Sequence, residues 1–183
     1  VVFLLEPVSP LDPGGNANTP AGFCRQLAFF RQYAAIPVEL TRNDPLDETA
    51  GPPVRNGCLA VRPNYQKVPL LSVLSAMFLH GGLLHIFGNM FFLYIFGNNV
   101  NDKLGAFGYL CFYLAGAVFS GIGHTLVSSN PVIGASGAVA AVTGAYLVLF
   151  PQTLITVIYW FYIIGTWDIP AIYFIALKMI IID

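Results

Sequence analysis

Pro131-Val132-Ile133-Gly134-Ala135-Ser136-Gly137 opens an apolar run of small residues that ends at Pro151. A hydroxyl stands there between two glycines. No Asp, Glu, Lys or Arg occurs between Lys103 and Asp168, so this serine lies deep in a stretch of membrane character. Two readings compete on these residues alone. In one, Ser136 caps a transmembrane helix, as serine often does at helix N-termini. In the other, the Gly-x-Ser-Gly turn exposes Oγ beside free backbone N–H groups, where an oxyanion would be stabilised.

Composition sets the class. The 183 residues are 56% hydrophobic and 9% charged, with a mean hydropathy of +0.70. A soluble domain carries about 25% charged residues. The chain therefore reads as an all-α, multi-pass integral membrane protein, a polytopic bundle of transmembrane helices. Its net charge of −1 gives no reason to expect a nucleic-acid partner. Cys24, Cys58 and Cys111 form no metal-ligand spacing. Cys24 and Cys58 would pair if their loop faced an oxidising compartment, but unpaired thiols are the favoured reading. Cys111, in an apolar run, reads as a packing residue.

Both ends read as cut. Residues 1–5 (VVFLL) look like the tail of a first helix, far short of the roughly 20 residues a span needs. Residues 6–67 form a polar section with short surface helices. Within it, 21–33 carries an apolar stripe at Phe23, Leu27 and Phe30. Residues 41–63, rich in Pro, Asn, Asp and Gly, read as loop. The section 68–183 is a transmembrane core with spans expected at about 83–100, 105–127 and 132–150, and an incomplete one over 170–183. Between the last two, 154–164 is rich in β-branched and aromatic residues and too short to cross. With Tyr159, Trp160, Tyr162 and Trp167 it suits the membrane–water interface. Lys178 falls inside the last span and would snorkel or face the bundle.

Polar side chains in spans are costly and face the protein interior. His85 and Asn89 are four apart, on one helical face. They read equally well as interhelical glue or as site residues. His80 points elsewhere and reads as a tie for loop backbone. Gly137, Ala138, Ala140, Ala141, Gly144 and Ala145 would let another helix approach to backbone contact.

Taken together, these motifs resemble the rhomboid family of intramembrane serine proteases. The pattern is His80-x-x-x-x-His85-x-x-x-Asn89-Met90, then Phe96-Gly97-Asn98-Asn99 through Leu104-Gly105. One span later come Gly134-Ala135-Ser136-Gly137 and Gly144-Ala145-Tyr146. The similarity runs from about residue 29 to 151 and more loosely to the end.

The resemblance implies the following roles. Ser136 is the nucleophile; His85 and Asn89, with N–H groups around Ser136, cradle the oxyanion. His80 supports the loop, and Gly134, Gly137 and Gly144 support the serine helix. The substrates are transmembrane segments of proteins in the lipid bilayer, reached in a bacterial or archaeal plasma membrane. No metal or cofactor is needed. The family's base is a histidine on a later helix packed against the small face of the serine helix. The one histidine left here, His124, reads as a turn residue, so the base is expected from a helix absent from this chain, and the fragment alone is expected to be inactive.

Six of the eight Lys and Arg precede Val68, which by charge would place 6–67 in the cytoplasm. The family resemblance places this loop outside. The loop lacks the tryptophan–arginine pair of some family members. Two other classes compete: a catalytically inactive relative that binds transmembrane clients, and a transporter or channel subunit. The transporter would show paired charges or broken helices in two halves, and neither is present.

Overall fold

The computed structural model describes Glu6 and residues 20–45, 67–161 and 163–181. In chain order the elements are α1 (Pro20–Tyr33), α2 (Pro37–Arg42), α3 (Pro69–Ala76), α4 (Leu83–Val127), α5 (Ser136–Leu149), β1 (Leu154–Phe161), β2 (Ile163–Pro170) and α6 (Ala171–Ile181). The expectations for residues 1–5, for most of the loop over 41–63, for Cys58 and Tyr162, and for the side chain of Lys178 lie outside the described residues.

Among the described residues, α4 is the helix long and apolar enough to cross a membrane; α5 is apolar but shorter. The 45 residues of α4 are not one rod. Gly105 sits at φ 70°, ψ 162°, where a Cβ would be strained, and divides α4 into two helical runs. Each run has roughly 22 residues, about 33 Å of helix. The residues expected as spans 83–100 and 105–127 lie in these runs, apart from Gly105, which is the break itself. In the stretch expected as a span over 132–150 the helix begins later, at Ser136, because Gly134 and Ala135 turn the chain before it starts.

The two runs of α4 flank α5. From the first, Phe92, Phe96 and Val100 meet Val139, Val142 and Tyr146, and Ile175 of α6 joins the same core. From the second, a Cβ on Gly116 would fall on Ala141, and one on Gly137 would fall on Ser120. Small residues therefore let α5 lie against the second run at backbone contact. Beside Gly144 a Cβ would meet open space among the described residues. At the far end Lys103 Nζ stands 5.8 Å over the Phe150 ring.

The all-α expectation needs correction at one place. Strands β1 and β2 pair antiparallel, from Leu154 opposite Pro170 to Phe161 opposite Ile163. Ile155, Thr156, Val157 and Ile158 favour extended backbone, since β-branched side chains crowd a helix and suit a pleated surface. Gly165 leaves room for the Tyr159 ring across the pair.

The polar section is fastened by one buried cation. Lys67 pairs with Glu39 of α2, and both are almost wholly buried. Its Nζ also donates to the carbonyls of Arg31, at 2.7 Å, and Ala34, at 3.1 Å. These carbonyls lie at the end of α1, where orphan acceptors and the helix dipole both favour a cation. Two cysteine readings are corrected. Cys24 is disulfide-bonded rather than a thiol, and Cys111 is a free thiol at the exposed surface rather than a packing residue.

Removing the cation alone would strand the Glu39 carboxylate. Lys67→Ala is expected to destabilise the fold by about 3 kcal/mol. The double variant Lys67→Met/Glu39→Leu should recover much of that loss, because no charge is then left buried. Thermal unfolding in detergent measures both; a Lys67→Ala variant as stable as the parent would remove the ion pair from the account of the loop.

Candidate active site

The serine turn is built by contacts to two distant segments. Val132 N–H donates to Ala35 O at 2.8 Å and Ala35 N–H to Val132 O at 3.1 Å, an antiparallel bridge between the polar section and the turn. Gly134 N–H donates to Ala76 O, at the end of α3, at 2.8 Å. Gly134 has φ +106°, a conformation that glycine reaches without a steric penalty. The chain then reverses, Ala135 accepts from Val139 N–H at 2.9 Å, and Ser136 becomes the first residue of α5. The first-turn N–H groups of any helix have no acceptor one turn back, so they point outward here. Among the described residues, no hydrogen bond engages Ser136 Oγ.

His85 comes to this turn from the start of α4. A Cβ on Gly134 would lie 2.8 Å from both Cε1 and Nε2 of His85, so the Nε2 edge of the ring rests on the glycine's bare backbone. Gly81 N–H donates to His85 Nδ1 at 3.3 Å. An imidazole nitrogen that accepts from a backbone N–H carries no proton of its own. The neutral ring then holds its proton on Nε2, the edge facing the serine turn. One turn on, Asn89 is buried and its Nδ2 donates to His85 O at 3.1 Å. That bond fixes the amide and uses one of its two protons.

His85, Asn89, Ser136 and Gly137 line one cavity of about 810 Å³, together with Phe92 and Ser120. Of the residues expected at the site from sequence, these four are thus brought together, and Gly134 and Gly144 do not line the cavity. His80 is not among the lining residues. It is buried behind the site, its ring edge-on to His85 with centroids 5.2 Å apart. Its Nδ1 lies 3.3 Å from Phe78 O. Burial, and then the neighbouring His85, push its pKa below the ordinary histidine value, so it stays neutral. His124 is also outside the cavity lining; its Nε2 meets Asn130 O at 3.0 Å, as a turn residue does.

Three contributors were not identified from sequence. Glu6 is fully buried, and its carboxylate accepts His80 N–H at 2.9 and 3.2 Å, although 74 positions separate them. No local signal marks such a pair. Gly81 lies along the stripe of His85 and Asn89, but its N–H bond to His85 Nδ1 has no sequence signal. Ser120 is set apart only by its fit against Gly137 and its place in the cavity.

Comparison with known proteins gives two findings. The Rhomboid domain family matches residues 68–182. Rhomboid-like protein 11, chloroplastic, of Arabidopsis thaliana is 45% identical over 71 residues, which cover 36% of this chain and 24% of the plant protein. The matched stretch is thus about a quarter of that relative's length. No solved structure matches the chain.

Two variants test the geometry. Gly134→Ala adds a methyl where the His85 ring sits and places it on left-handed backbone. It should destabilise the protein by about 1–3 kcal/mol and shift the His85 ring resonances in NMR; unchanged resonances would detach Gly134 from His85. Glu6 offers a pH test. Burial raises its pKa above the ordinary carboxylate value, and the His80 N–H bond opposes this less strongly. An acid with a raised folded pKa stabilises the fold fully below its unfolded pKa, and that contribution is lost as pH rises through the raised value. Melting temperatures of Glu6→Gln should therefore fall less than those of the parent as pH rises across that window. Parallel curves would show that Glu6 does not titrate there.

Proposed function

Since this chain belongs to the rhomboid family, whose members are integral membrane proteins, we propose that it is a multi-pass intramembrane serine endopeptidase acting on transmembrane segments of other proteins. The observation that carries the reading is the placement of the His85 Nε2–H edge on Gly134, two residues before Ser136, in a shared cavity. A serine that only capped a helix would need no second polar group held against its turn.

The proposed chemistry follows from the donors. Ser136 Oγ attacks the scissile carbonyl carbon and loses its proton to a base. The carbonyl oxygen takes up the negative charge and accepts from His85 Nε2–H, the second Nδ2–H of Asn89 and first-turn N–H groups of α5. Collapse passes the base's proton to the departing amine and leaves an acyl-serine, which water then hydrolyses. The base is the part these residues do not supply. Of the three histidines, His80 is held behind the site and His124 in a turn, and His85 is used as a donor. A histidine from a helix outside this sequence completes the dyad in the proposal, and the 183 residues alone would be inactive.

One observation favours a second reading, a rhomboid-like protein that binds transmembrane clients without cutting them: no histidine among the described residues is placed as a base for Ser136. The retained serine, histidine and asparagine favour the protease. The expected bacterial or archaeal plasma membrane gains no support from a relative named as chloroplastic, so the proposal is limited to a lipid membrane.

Cleavage of a model transmembrane substrate by the full-length protein in vesicles decides the matter. Ser136→Ala should abolish cleavage while leaving the melting temperature unchanged; retained cleavage would remove Ser136 as nucleophile. Asn89→Ala should lower kcat by the equivalent of about 2–4 kcal/mol with a smaller effect on KM. An unchanged kcat would return Asn89 to the role of interhelical glue. A full-length parent that binds the substrate but never cleaves it would support the client-binding reading.

A further inference from the structure

The β1–β2 hairpin leaves the helical part of the molecule between the end of α5 and the start of α6. Its base is fixed: Ala171 N–H donates to Thr153 O at 2.9 Å, Ile155 packs on the main core, and Ala171 and Ile175 are buried. Along the hairpin the character of the outer face changes. Near the base, Thr156 Oγ1 donates to Asp168 Oδ1 across the pair at 2.7 Å. Towards the tip the same face carries Ile158, Trp160 and Ile164, which are 70%, 84% and 80% exposed. Trp167, on the opposite face, is 68% exposed. Asp168 is the one formal charge between Lys103 and Lys178.

We infer that this hairpin is a membrane-interface element, seated in the boundary layer of the bilayer on the side remote from Ser136. Side chains of this kind at the tip are disfavoured in water. Full immersion in hydrocarbon is also excluded, because a two-stranded sheet keeps two open edges of unpaired N–H and C=O groups. The interfacial layer satisfies both demands: indole rings favour it, and headgroups and water can bond the edges. The surface is continuous with lipid-facing residues, since α6 follows β2 directly and exposes Ile172, Tyr173 and Leu177. The remote side follows from the helix between: Ser136 starts α5 and the hairpin follows its end, about 21 Å away for 14 residues. The inference rests on family membership in the membrane and not on the chemistry at Ser136.

Both tryptophans of the chain, Trp160 and Trp167, lie in the hairpin, so its fluorescence reads this element. The experiment compares the chain and its Trp160→Phe and Trp167→Phe variants in phosphatidylcholine vesicles, with and without dibrominated phosphatidylcholine, and with acrylamide in the water. Carbonate-washed vesicles that retain the protein establish membrane integration separately. The expected result is emission from Trp160 quenched several-fold by the brominated lipid, with acrylamide quenching several-fold below that of free tryptophan. Quenching by acrylamide as strong as for free tryptophan, with none from the lipid, would place the hairpin in water and overturn the inference. Shielding from both quenchers would show that protein covers it, as edge pairing with a second copy would do, and would overturn it equally.

Discussion

Helix α5 reaches the cavity only because side-chain volume is missing along its path. A Cβ on Gly116 would collide with Ala141, one on Gly137 with Ser120, and one on Gly134 with the His85 ring. In lipid there is little hydrophobic gain from bringing helices together, because the surrounding tails are as apolar as the helix faces. What remains is dispersion, which falls away over fractions of an ångström. The absent methyl groups are thus what makes the association worth having. They also fix a distance, since a helix resting on backbone has no soft side chain to take up slack. The position of Ser136 relative to His85 inherits that stiffness.

Around this apolar constraint the polar bonds supply direction. The serine turn is held by Ala35 from the polar section and by Ala76 from the end of α3. Both tethers use backbone groups of the turn, at Val132 and at Gly134. The segment that carries Ala35 is in turn anchored through Lys67, whose three contacts join α1, α2 and the approach to α3. Such a buried pair adds little net stability compared with apolar residues of similar size. In this arrangement the pair holds the polar section beside the turn.

The parts of the molecule legible in its sequence are those set by short-range spacing. His85 and Asn89 share a face because four residues make a helical turn, and Ser136 opens a helix because glycine and serine break one run and start another. The breaks at Gly105 and Gly134 follow from the conformational freedom of glycine, and both residues stand in the motif read from the sequence. Less legible were contacts that depend on two distant segments meeting. The Glu6–His80 bond and the fit of Ser120 to Gly137 have no periodicity to announce them. The hairpin was half legible. Its β-branched content suits extended backbone, but an apolar run too short to cross a membrane does not reveal its own pairing.

The length of α5 connects these features. Fourteen residues give about 21 Å of helix, against roughly 30 Å of hydrocarbon in a bilayer. On the proposed reading at least one end of this helix lies below the membrane surface, and non-helical backbone at that depth must find its partners within the protein. The serine end is equipped for this. Val132 and Gly134 have their N–H groups bonded to Ala35 and Ala76, and Val132 O accepts in return. The other end leads through Phe150 and Pro151 into the hairpin, whose open edges need headgroups or water. On that reading the shortfall in helix length is taken up at the serine end, and the same backbone bonds that make a sunken turn tolerable hold Ser136 in the cavity where His85 would meet the oxygen of the carbonyl whose carbon Ser136 attacks.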